Sequence, residues 1–181
     1  MENIVVAYGE SAAGQRGCKR TEGPPIYWVA HRLGSGETFS CTLIPPRPLN
    51  DVFLGHLELT RANFEQASSL DEARRRWAQF QRPSDVVAVF HPGSARLFSY
   101  LAGDRKRCLV LKSVDLEAKP SRPALERFLP SPKIPVATAH IPGRAGQRLA
   151  GAIAYVRHLN ALANARLREE PLAADLGGPE P

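Results

Sequence analysis

The side chains best placed to do chemistry in this chain are its cations. The 181 residues carry 24 Lys and Arg against 18 Asp and Glu, a formal net charge of +6 with a pI near 9.6. Arg168 is the last basic residue, and Glu169, Glu170, Asp175 and Glu180 all follow it, so residues 1–168 hold 24 basic against 14 acidic side chains, a net +10. A body this positive favours a polyanionic partner, nucleic acid first, although an Arg-rich and Ala-rich chain also arises from base composition alone. Cys18, Cys41 and Cys108 form no CxxC pair, and their odd number argues against a complete disulfide framework. Cys41 and Cys108 sit in apolar runs as small core residues, whereas Cys18 lies in a polar loop with no partner base. There is no GxxxxGK[ST] phosphate loop, no GxGxxG after a strand, no HExxH and no GxSxG, and Gly14-Gln15-Arg16-Gly17 is too short to mean anything alone.

The elements that must position these groups are legible from periodicity. Ile4-Val5-Val6-Ala7-Tyr8 reads as a buried strand ending at Gly9, and Ser11–Pro25 as a loop. Ile26–Arg32 and Glu37–Ile44, separated by Leu33-Gly34-Ser35-Gly36, form an antiparallel hairpin closed off by Pro45-Pro46-Arg47-Pro48. After a connection containing His56, Leu59–Phe64 suits a helical turn capped by Thr60. Ser69-Leu70-Asp71-Glu72 fits a capping box for a helix with Leu70, Ala73, Trp77 and Phe80 inward and Arg74, Arg75 and Arg76 as a solvated outer face. Val86–Phe90, apolar on both faces, reads as the middle strand of the sheet.

Ser94–Leu101 then suits a short helix with Leu97, Tyr100 and Leu101 inward, and Cys108–Leu111 another strand. The proline-rich stretch Asp115–Gly143 allows only brief helix, best placed at Ala124–Leu129 behind Pro123. His140-Ile141-Pro142-Gly143-Arg144 introduces a long amphipathic helix over Ala145–Asn164, with Leu149, Ala152, Ile153, Val156, Leu159 and Ala163 on one stripe and Arg148, Arg157, Asn160 and Asn164 away from it.

This order predicts one α/β domain over residues 1–168: a mixed five-stranded sheet, its first three strands antiparallel, with helices on both faces. The acidic tail 169–181 has too little to bury and is expected to be disordered. The hydrophobic share of 43% and charged share of 23% are those of an ordinary globular chain, which excludes collagen-like and disulfide-scaffold classes. No apolar run approaches the roughly 20 residues a bilayer needs, and MENIVVAYGE has no basic segment leading into a signal-type run. A cytoplasmic location is expected.

Four phrases, in order, resemble the 3′ to 5′ exonucleases of the proofreading (DEDD) type, within the ribonuclease H-like fold. VVAYGESAAG looks like the family's first strand ending in Asp-x-Glu-Thr-Thr-Gly. FSCTLIPPRPL leading into LELTRANFEQASSLDEARRRWAQF is similar to its passage from hairpin through a proline turn to a helix. VVAVFHPGSARLFSYL resembles the strand ending in His-Asn with an aspartate on the next helix, and GRAGQRLAGAIAYVRHL the His-x4-Asp start of the last helix. Two phrases, VVAYGESA and RAGQRLAGA, also look like a domain appended to bacterial DTW-type tRNA-modifying proteins, which makes tRNA a candidate ligand.

The family's chemistry uses two divalent ions on carboxylates, and Mg or Mn requires hard oxygen donors. Carried over position by position, Asp-x-Glu becomes Tyr8-Gly9-Glu10, the helix aspartate falls at Arg96, and the last-helix base and aspartate fall at Gly143 and Arg148. Only Glu10 keeps an acid. An Arg in place of a metal-binding carboxylate turns attraction into repulsion, several kcal/mol at about 4 Å and an effective dielectric near 20. Rescue by Asp85, Asp104 or Asp115 is the alternative, but Asp85 precedes its strand and belongs at the wrong end of the sheet.

The resemblance therefore implies a catalytically degenerate domain, without metal or other cofactor, that binds RNA or DNA 3′ ends through a basic cleft. Arg96 and Arg148 would offer guanidinium forks to phosphates, Arg144 and His91 would border the cleft, and Tyr8 would stack on a base or ribose. Each residue has an ordinary alternative: Tyr8 as a core aromatic, Arg96 and Arg148 as solvated helix charges, His91 as a satisfied strand-end histidine. At the level of function the alternatives are a protein-interaction scaffold with incidental charge, and a Mg- or Mn-dependent exonuclease with a rearranged site.

Overall fold

The computed structural model describes residues 2–12, 23–103, 108–113 and 140–169. Five strands form one mixed sheet: β1 (Ile4–Ser11), β2 (Pro25–Arg32), β3 (Thr38–Thr42), β4 (Val86–Val89) and β5 (Cys108–Val110), in the order β3-β2-β1-β4-β5. The hairpin pairs β2 with β3 antiparallel, β1 joins β2 antiparallel with Val6 opposite His31 and Glu10 opposite Tyr27, and β1 pairs β4 in parallel with Ala7 opposite Val89. β4 and β5 continue in parallel. Val86–Phe90 was expected at the middle; β4 is interior but β1 is the central strand, because a run apolar on both faces marks two-sided cover and not position in the sheet.

Alternation along the strands divides the core into two layers. Val6, Tyr27, Val29 and Ala88 face α1 (Asp51–Leu57) and the final helix α4 (Gly143–Glu169), which buries Ala145, Leu149, Ala152, Ile153, Tyr155 and Val156. Val5, Ala7, Trp28, Ala30, Val87 and Val89 face α2 (Leu70–Phe80) and α3 (Pro92–Ala102), where Trp28, Phe39, Trp77 and Phe98 interlock edge-on and stacked. At about 1.5 Å per residue α4 runs roughly 40 Å, and its residues 161–165 are exposed beyond the sheet.

Several local expectations change. α1 occupies the connection around His56, opened by Asn50, whose side chain accepts from the Phe53 amide at 2.8 Å. Ser69 caps α2 by accepting from Glu72 N, but the Glu72 carboxylate turns outward to Arg75, so half of the expected capping box forms. Phe98, fully buried, takes the inward place expected of Tyr100 on α3. The α2 arginines do more than solvate a face: Arg74 donates to Tyr100 O, and Arg76 donates to Ser40 O while lying 5.6 Å from the Phe39 ring centre. On α4, Ala163 is exposed while Arg148 is half-buried. Cys41 is buried and Cys108 half-buried as small core residues. Cys18, Ala124–Leu129 and residues 170–181 lie outside the described residues.

At the start of β1 and β4 the chain buries an ion pair. Arg32, at the end of β2, meets Asp85 through Nη2–Oδ2 at 2.8 Å, also donates to Phe80 O and Glu37, and stacks over Phe80. Asp85 in turn accepts from Arg82 N, so each buried charge is saturated by hydrogen bonds, which a buried pair requires. No helix among the described residues is long and apolar enough to cross a membrane.

Candidate functional site

Residues at i and i+2 of a strand share a face, so Tyr8 and Glu10 project together from the end of β1 toward α1 and α4. Gly9 points the other way, where a Cβ would stand 2.5 Å from the Trp28 ring; that spacing is why the second aromatic layer closes there. Glu10 is only 6% exposed, and both its oxygens are taken by Arg144 in the first turn of α4, Nε to Oε1 at 2.9 Å and Nη2 to Oε2 at 2.7 Å. Tyr8 donates its hydroxyl to Oε1 at 3.2 Å. The remaining amine of Arg144 donates to His56 on α1; Nε2 is the acceptor there, since a guanidinium has no lone pair. Gln147, one turn from Gly143, donates to Glu58 at 2.6 Å and ties the two helices at the rim.

Electrostatics follow from this packing. Burial first, and then the Glu10 charge, push the Tyr8 phenol well above its usual range, with Arg144 and Arg148 partly offsetting them, so Tyr8 stays a donor. The hydrogen bonds to Glu10 hold Arg144 above the ordinary arginine value. Arg148 is half-buried one turn beyond Arg144, with its charge acting on the Tyr8 hydroxyl, and among the described residues no carboxylate pairs with it.

The α1–α4 junction fixes the backbone here. Gly143 adopts φ +74, and a Cβ on it would lie 2.7 Å from Leu57 O and 2.8 Å from Leu59 Cδ2. Facing it, Glu58 ends α1 in the left-handed region at φ 57. The position where the exonuclease pattern carries a histidine is therefore one that only glycine fits.

The site-residue expectations fall into two groups. Tyr8, Glu10, Gly143, Arg144 and Arg148 come together at the carboxyl end of β1. His91 lies two residues past Val89, whose partner is Ala7, so it stands at the same end of the sheet, where its Nδ1 caps α3 by accepting from Gly93 N at 3.0 Å. Burial and the Lys112 charge lower its pKa. Arg96 is exposed on α3, whose Leu97, Phe98 and Leu101 pack into the other core layer. Sequence reasoning placed Arg144 at the border of the cleft; the structure puts it at the centre, on a partner 134 residues away. Its i, i+4 spacing from Arg148 on one helix face was the available signal.

Among the described residues the donors do not make up a two-metal centre. Glu10 spends both oxygens on Arg144, and among the described residues no three His, Cys, Asp or Glu side chains are grouped to hold an ion. Asp85 sits level with Asn3, seven residues down β1 from Glu10, about 23 Å at strand rise, and is committed to Arg32. Asp104 and Asp115 lie outside the described residues.

No protein-family model matches this chain, and no curated protein matches it by sequence. Among solved structures it is similar to exonuclease X in complex with 5′ overhanging duplex DNA, with a TM-score of 0.54 over 87% of this chain and 93% of that one, at 12% identity. The fold is thus exonuclease-like, a mixed five-stranded sheet covered on both faces.

Proposed function

We propose that this chain is an exonuclease-like domain that has lost catalysis and binds a nucleic-acid strand at the carboxyl end of β1. The observation that carries the reading is the pair of arginines opening α4: Arg144 takes both carboxylate oxygens of Glu10, and Arg148 is held half-buried beside Tyr8 with no carboxylate partner among the described residues. A cation kept in that setting is costly unless an anion completes it, and a guanidinium suits phosphate oxygens. The net +10 on residues 1–168 supports a polyanion, as does the likeness to a protein solved with DNA. Tyr8, Arg144 and Arg148 form the contact, His91 borders it, and Arg96 is a further candidate on α3. Among RNAs, tRNA is the candidate, supported by the likeness of VVAYGESA and RAGQRLAGA to a domain of tRNA-modifying proteins. Binding to a single-stranded oligonucleotide at two salt concentrations, with Arg148→Ala beside the parent chain and cleavage followed in the same tubes, tests this reading.

A further inference from the structure

We infer that the site reads the ribose of its strand, so that RNA is bound in preference to DNA, and that Tyr8 is the residue that makes the distinction. This rests on the nucleic-acid reading above and names the class of strand the site takes. It follows from the hydrogen-bonding valences that the side chains leave open. Glu10 is met by two donors: Arg144 takes Oε1 at 2.9 Å and Oε2 at 2.7 Å, and the Tyr8 hydroxyl reaches Oε1 at 3.2 Å. A carboxylate held along both oxygens by a guanidinium can only accept, so the proton of the third bond is the phenol's. Tyr8 thus spends its one donor on Glu10, and its oxygen has only lone pairs left to offer. Burial and the Glu10 charge hold the phenol in its protonated form, which keeps this polarity fixed.

Beside that acceptor stands a set of donors. The charge of Arg148 acts on the Tyr8 hydroxyl, and among the described residues no carboxylate or carbonyl accepts from its guanidinium. Both residues are half-buried and keep part of their surface in contact with solvent. A ligand that satisfies the two together needs a hydroxyl next to an anionic oxygen. Every ribonucleotide within a strand carries that combination on adjacent carbons: the 2′-OH donates to the Tyr8 oxygen, and the phosphate on the 3′ oxygen accepts from Arg148. A deoxyribose backbone brings the same phosphate but only C–H at the 2′ carbon, and leaves the Tyr8 oxygen unpaired. Arg148 and the Tyr8 ring serve both kinds of strand alike, and the hydroxyl serves RNA alone.

The test is fluorescence-anisotropy binding of three labelled single strands at low salt: DNA, RNA and 2′-fluoro RNA of one sequence built from A and C, so that the bases are identical. Fluorine keeps the sugar pucker and phosphates of RNA and removes the donated proton, and all three strands end in the same 3′ hydroxyl, which therefore cancels. RNA should bind about fivefold more tightly than either of the others, the effect of one net hydrogen bond. Tyr8→Phe keeps the ring and leaves Arg144 on Glu10; it should bring RNA down to the DNA level and leave DNA unchanged. Equal affinity for RNA and DNA on the parent chain, or tighter DNA, overturns the inference. So does 2′-fluoro RNA bound as tightly as RNA, which would assign the preference to strand shape, and so does an RNA preference that survives in folded Tyr8→Phe. Should that variant fail to fold, the three strands on the parent chain decide alone. Absence of binding to any strand at low salt overturns the nucleic-acid reading and this inference with it, whereas binding without preference overturns only the inference.

Discussion

Arg144 meets Glu10 along both carboxylate oxygens, 134 residues apart in sequence, at 2.9 Å and 2.7 Å. With side-chain exposures of 22% and 8%, neither charge is well solvated, and each depends on the other. Arg144→Ala should therefore cost about 2–3 kcal/mol in urea denaturation, below the 3–5 of a fully buried pair because Arg144 is partly wet. Adding Glu10→Gln should recover part of the loss, since no uncompensated carboxylate then remains. Additive losses in the double variant would show that the pair is not coupled.

Gly143 makes a separate prediction about catalysis. Gly143→Ala should destabilise by at least about 2 kcal/mol, from the left-handed backbone and the approach to Leu57 O. Gly143→His should be as costly and should not create cleavage activity. A stable Gly143→His variant with metal-dependent trimming would contradict the account of why the base is absent.

The ion pair at the other end of the sheet should be structural alone. Asp85→Asn leaves Arg32 buried with one charge partner removed and should cost about 3–5 kcal/mol by thermal or urea melts. Oligonucleotide affinity of the fraction that remains folded should be unchanged, because about 23 Å of strand separates Asp85 from Glu10. Loss of binding in that folded fraction would place the contact elsewhere.

His31 gives the fold a pH dependence. It is 2% exposed on the α4 side of β2, its Nδ1 has no hydrogen-bond partner among the described residues, and burial first, then the charges of Arg157 and His140, lower its pKa. The folded state resists a proton that the unfolded chain accepts, so this contribution is whole above about pH 6.5 and is lost as pH falls through the depressed folded value. His91 has the same sign but is exposed and counts for less. Melting temperature should drop between pH 7 and pH 5, and His31→Leu should flatten the drop. An equally steep drop in that variant would assign it to other groups.

Much of the fold was legible because it rests on local pattern: β1, the β2–β3 hairpin, α2, α3 and α4 each declare themselves through spacing and turn residues. α1 did not, since seven residues containing Gly55 and His56 bury only Phe53, Leu54 and Leu57 and show no full helical repeat. The site was half legible. Its positions lay on β1 and α4 as the exonuclease pattern implies, but the closure of Arg144 on Glu10 depends on how α4 crosses the sheet, and no local spacing reports that.

The most direct test of the central claim is binding of one single-stranded oligonucleotide by the parent chain and by Arg148→Ala, at low and moderate salt, with Mg or Mn present and the strand length followed over time. The account predicts binding that weakens steeply with salt, a roughly tenfold loss and a salt slope smaller by about one in Arg148→Ala, and a strand that stays full length. Metal-stimulated shortening from the 3′ end, abolished by Glu10→Gln, or affinity indifferent to Arg148, would contradict it.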